Sequence, residues 1–113
     1  MIHNMKLNNN PYNSICHGNK DIEMRLYDEK RKLIKIGDII TFTNIDTLDT
    51  FKVEVIALHK HKNFKELYEK FDKERLGYKI EEEAKPEDMK KYYKKEEIDK
   101  YGVLGIEIKK INY

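Results

Sequence analysis

From Asp21 to Tyr27 the chain alternates without a break. Ile22, Met24 and Leu26 fall on one side, and Asp21, Glu23, Arg25 and Tyr27 on the other. A period of two belongs to a strand. It sets the three apolar side chains on one face of a sheet and leaves a charged row on the opposite face. Further runs read the same way. Ile39 to Thr43 is a β-branched strand opened by the Gly37-Asp38 turn. Phe51, Val53, Val55 and Ala57 alternate with Lys52, Glu54, Ile56 and Leu58, a long strand partly covered on both faces. Val103 to Ile111 is a last strand with Leu104, Ile106 and Ile108 on one face, and residues 2–7 alternate weakly.

Between these runs the period changes to that of a helix. Asn10 can cap a helix with Pro11 in its first position, and Tyr12, Ile15 and Cys16 share one face. Gly18-Asn19 reads as a left-handed helix end. Phe64, Leu67, Tyr68 and Phe71 repeat at helical spacing. Residues 72–86 are highly charged and read as irregular. Pro86 opens another helix, with Met89, Tyr92 and Tyr93 as its apolar stripe. Glu96 to Ile98 continues that helix or starts a second turn, and Gly102 ends it. Five strands with inserted helices imply an α+β chain, residues 1–113 forming one domain built as a small curled sheet or barrel.

Composition limits what such a domain does. Lys and Arg number 23 against 21 Asp and Glu, so any affinity for polyanions comes from a local patch and not from net charge. A single cysteine, Cys16, excludes an internal disulfide and a cysteine-built zinc site, which suggests a cytoplasmic protein. No run is long and apolar enough to span a bilayer.

The residues Gly18-Asn19-Lys20-Asp21-Ile22-Glu23-Met24-Arg25 resemble the G-x-K-x-x-E-x-R signature of the ASCH family, the activating signal cointegrator homology domain. The flanks agree: Pro11 to Ile15 precede it, Gly37-Asp38 opens the next strand, and Gly102 to Ile108 close the chain. The resemblance implies a PUA-like β-barrel of about five to six strands with inserted helices. It also implies a cleft, between barrel and helices, lined by the signature. Related PUA domains bind RNA. Some ASCH proteins are amidohydrolases on acetylated cytidine nucleosides, and a ribonuclease activity is known in the family. In the acetylcytidine hydrolases a Thr stands where this chain has Glu23, so their nucleophile is not carried over. Their Lys corresponds to Lys20, and Glu74 is the candidate for their distant Glu.

The chemistry of the signature points the same way. Glu23 and Arg25 project from one strand face, and Lys20, at the helix-to-strand junction, reaches over the same patch. Arg25 and Lys20 suit phosphate or carbonyl oxygens; Glu23 suits a base amine or proton transfer. Tyr12 offers a stacking ring, and Asn13 and Ser14 add hydrogen bonds. The expected ligand is RNA or a modified nucleoside or nucleotide, with Lys20 and Glu23 as the catalytic pair if the domain is instead a hydrolase. A third reading makes the tyrosine-rich segment 87–95 a protein-interaction surface. No cofactor is expected. His59 and His61 share a strand face, but no third metal ligand accompanies them. Cys16 reads as core.

Overall fold

The computed structural model describes residues 1–111. The strands are β1 (Ile2–Leu7), β2 (Ile22–Leu26), β3 (Ile39–Asn44), β4 (Thr50–His61) and β5 (Val103–Lys110). The α-helices are α1 (Asn9–His17), α2 (Phe64–Lys70) and α3 (Lys95–Tyr101), with 3-10 turns at Arg31–Leu33, Lys73–Leu76 and Pro86–Lys91. The strands form one curled sheet in the order β1-β3-β4-β5-β2, an α+β half-barrel with inserted helices. Only the β1–β3 pair is parallel; the other three are antiparallel.

The strand alternation decides what each face buries. Ile22, Met24 and Leu26 pack with Phe64, Leu67, Leu76 and Met89 beneath α2 and the turns. The other apolar cluster, with Phe42, Val53, Val55, Leu104 and Ile106, takes Tyr12 and Ile15 from α1 and, half-buried, Cys16 and Tyr27. Burying a large apolar side chain contributes about 1.5–3 kcal/mol. The two clusters therefore hold the helices to the sheet without a disulfide.

The outer strands β1 and β2 are not paired with each other. A side chain reaches across instead: Arg25 Nη2 donates to the Lys6 carbonyl at 3.0 Å.

Three local details differ from the sequence expectation. First, α1 starts at Asn9, so Pro11 sits two residues inside it. Proline is tolerated there because the first four amides of a helix lack intrahelical partners. Asn9, not Asn10, does the polar work: its Oδ1 accepts from Asn44 Nδ2 at 2.9 Å and from Asn13 Nδ2 at 3.1 Å. Second, Gly18 is extended, not left-handed, with φ −114° and ψ −153°. Its lack of a side chain serves close approach, since a Cβ there would lie 2.8 Å from the Ser14 carbonyl oxygen. That oxygen accepts from both Gly18 N and Lys20 N, which turns the chain from α1 into β2. Third, segment 86–101 is broken. The Glu97 carboxylate accepts from Lys94 N at 3.1 Å and starts α3 as a separate helix. Within 72–86 the chain forms the short Lys73–Leu76 turn, stopped by left-handed Gly77.

Candidate functional site

The G-x-K-x-x-E-x-R residues meet around one carboxylate. Glu23 Oε1 lies 3.0 Å from Lys20 Nζ, and Oε2 lies 2.8 Å from Arg25 Nε. The side chains are 5%, 9% and 15% exposed respectively, so this is not an ordinary solvated strand face. Burial alone would push the Glu23 carboxyl up. The flanking Lys20 and Arg25 charges and their hydrogen bonds outweigh it and hold the group below its usual range. Burial likewise opposes the Arg25 charge, and Glu23 reverses the effect. Glu23 and Arg25 are therefore ionised at neutral pH, and with the Lys20 ammonium beside them the triad carries one excess positive charge.

The triad faces a cavity of about 360 Å³. That lies at the lower end of the ~300–1,000 Å³ typical of small-molecule sites. Aromatic walls come from Tyr68, Tyr78, Tyr92 and Tyr93. Tyr93 lies nearly parallel to Phe64, with centroids 5.9 Å apart, so one ring face is covered. Tyr92 is 58% exposed. Tyr78 donates its hydroxyl proton to Asp88 Oδ2 at 2.8 Å. Its oxygen must then accept from Tyr68, 2.8 Å away. With both protons committed, the Tyr68 and Tyr78 oxygens offer only lone pairs. Burial and these hydrogen bonds push the Tyr78 hydroxyl far above its ordinary range, so it stays protonated.

Gly77 explains how Lys20 is aimed. It has φ +107°, and a Cβ there would lie 3.0 Å from Lys20 Cδ. A bare backbone in the left-handed region thus leaves room for the lysine stem along the cavity wall.

The structure brings Lys20, Glu23 and Arg25 together and leaves Tyr12, Asn13 and Ser14 out. Tyr12 does not line the cavity. It is 6% exposed and packs edge-to-face on Phe51 at 4.9 Å, so its ring is core and has no free face for stacking. Asn13 is on the exposed side of α1, bonded to Asn9. Ser14 contributes its backbone carbonyl to the α1–β2 turn. Neither lines the cavity. Glu74 does not line it either; Glu82 and Asp88 do. Sequence reasoning missed Tyr68, Gly77, Tyr78, Glu82 and Asp88; it singled out Tyr92 and Tyr93 in the tyrosine-rich segment 87–95 but not as part of this cleft.

The two histidines have other partners. His59 Nε2 is 2.9 Å from Glu107 Oε1, and its Nδ1 is 3.1 Å from Lys70 Nζ. His61 Nδ1 is 3.6 Å from Glu66. Among the described residues no cluster of three or more His, Cys, Asp or Glu could hold a metal ion. Nor is any helix among them long and apolar enough to cross a membrane.

The chain and its curled sheet have relatives. The ASCH domain family model matches residues 5–112, and the chain belongs to that family. The crystal structure of the hypothetical protein PH0355 is 36% identical and superposes with a TM-score of 0.81, covering 98% of this chain and all of that one. The solution NMR structure of protein PF0455 from Pyrococcus furiosus is 35% identical, with a TM-score of 0.71 and full coverage of both chains. No curated protein matches the chain.

Proposed function

We propose that the domain binds RNA or a modified nucleoside, with one base inserted into the cavity against Lys20, Glu23 and Arg25. The observation that carries this reading is the triad's excess positive charge, held at a site largely shielded from water. A buried charge is stabilised by a polar partner. Carbonyl or phosphate oxygens of a guest would meet Lys20 and Arg25, while the free lone pairs of Glu23 would accept an exocyclic amine. The lone pairs of Tyr68 and Tyr78 suit a second donor. Stacking passes from Tyr12 to Tyr92, the one exposed ring among the four tyrosines of the cavity. Membership of the ASCH family supports the same class of ligand.

Binding is favoured over hydrolysis by the acidity of Glu23. A general base works best with a pKa near the operating pH, and two cations hold this one low. The test is a screen of nucleosides, modified nucleosides and short RNAs by ligand-observed NMR, with mass spectrometry of the recovered ligands. A hit should return chemically unchanged, and Lys20→Gln should abolish its signal while the protein stays folded. Tyr92→Ser should weaken it by about 1–3 kcal/mol. Release of acetate from acetylcytidine, or cleavage of RNA, in a Lys20-dependent way would replace binding with hydrolysis. Absence of any ligand would overturn the reading.

A further inference from the structure

The charged face of β2 does not stop at the cavity. Glu23, Arg25 and Tyr27 follow one another at every second position, and Tyr27 N extends the pairing by donating to Gly102 O. With a strand rise of ~3.3 Å per residue, Tyr27 sits about 7 Å beyond Arg25. The sheet register brings another cation to the same face. Arg25 pairs with Leu104 on β5, and Leu104 pairs with Lys60 on β4. Directly opposed residues share a face, so Lys60 and Arg25 flank Leu104 in one row.

Lys60 Nζ lies over the Tyr27 ring, 4.9 Å from its centroid, and Lys32 Nζ lies 5.7 Å from it. The adjoining loop, residues 28–32, carries three cations and two carboxylates. Asp28 engages Arg31 and Glu29 engages Lys32. Lys60 has no carboxylate partner among the described residues, so its charge is free for a ligand.

We propose that Lys60, steadied over Tyr27 and backed by Lys32, is a phosphodiester subsite for the nucleotide next to the one in the cavity. This rests on reading the cavity as a base site, and it makes the ligand a strand of RNA instead of an isolated nucleoside. The ring holds the ammonium by cation–π attraction and leaves N–H donors free for a phosphate oxygen. A phosphate leaving the Arg25 end of the cavity then meets a cation in the neighbouring row.

The test compares free nucleosides with a fluorescein-labelled octaribonucleotide pool, by competition and fluorescence anisotropy across a salt series, on the wild type, Lys60→Gln, Lys60→Arg and Lys20→Gln. Lys60 is exposed, so its variants keep the fold. Lys60→Gln should weaken octamer binding by about three- to tenfold and flatten the slope of log K against log salt by about 0.7, one phosphate contact. Lys60→Arg should restore both, and nucleoside affinity should not change. Equal octamer affinity and slope in Lys60→Gln, with Lys20-dependent nucleoside binding intact, would overturn the subsite alone. Octamer binding that needs Lys60 but ignores Lys20→Gln would overturn the cavity reading. No binding of either probe would overturn both.

Discussion

Two of the ion clusters on this sheet have opposite meanings. Lys20, Glu23 and Arg25 form one, nearly buried at the cavity. The other links β2, β4 and β5 near the 3-10 turn Lys73–Leu76. There Arg75 grips Asp21 with two hydrogen bonds of 2.9 and 3.1 Å and reaches Glu107 at 3.2 Å, while Glu107 also meets His59. Phe71 fills the space between, 4.8 Å from the His59 ring and 5.1 Å from the Arg75 guanidinium. By contact the second cluster is the richer. Its Arg75 and Asp21 side chains, however, are 35% and 41% exposed. Water screens them, and exposed pairs contribute about 0–1 kcal/mol each. The buried triad has no such screening, so removing its central carboxylate leaves two cations with neither partner nor solvent. Burial, more than the number of contacts, separates the cluster that a ligand can complete from the one that only fastens a turn.

Breaking the triad at its centre should have the largest effect. Glu23→Ala leaves two buried cations facing each other and should cost about 3–5 kcal/mol, read as a fall in the urea midpoint. Lys20→Gln leaves a balanced Glu23–Arg25 pair. It should cost only about 1–3 kcal/mol, which is why it suits binding tests. Near-equal losses in these two variants would mean that the excess charge does not govern the site. Gly77→Ala should cost about 1–2 kcal/mol, from the left-handed backbone and the crowding of Lys20, in the same urea melts. The exposed cluster should respond least: Arg75→Ala should cost about 1 kcal/mol or less, and high salt should erase the difference.

Acid sharpens the comparison further. Glu23 is held low by Lys20 and Arg25 against burial, and Glu107 by its hydrogen bond from His59. Asp38 is lowered from 3.8 to about 2, first by His3, 2.8 Å away, and then by the Lys35 amide. A depressed carboxylate contributes its stability above its unfolded pKa and loses it as pH falls toward the folded value. Stability should therefore be flat near neutrality and fall between about pH 4 and pH 2. Asp38→Asn should make that fall shallower in acid titrations followed by circular dichroism. An unchanged slope would remove Asp38 from the account.

Much of this was legible along the chain. The alternation of residues 21–27 placed Glu23 and Arg25 on one face, and the strands at β3, β4 and β5 followed from theirs. The fate of Tyr12 was legible as well. It shares the helical stripe of Ile15 and Cys16, and a residue on the buried stripe is not free to stack on a ligand. The cavity's aromatic walls were not legible. Tyr68, Tyr78 and Tyr92 converge only after residues 71–93 fold back over β2. Gly77 meets Lys20 across 57 positions, and Arg75 meets Asp21 across 54. No local period encodes such pairings.

The most direct measurement is an amide chemical-shift map of the labelled wild-type protein titrated with the tightest ligand from the nucleoside and RNA screen. Shifts gathered on Lys20, Glu23, Arg25, Gly77 and Tyr92 are the predicted result. Shifts confined to Asn13 and Ser14 on α1, or to the His59–Glu107–Arg75 cluster, would contradict it.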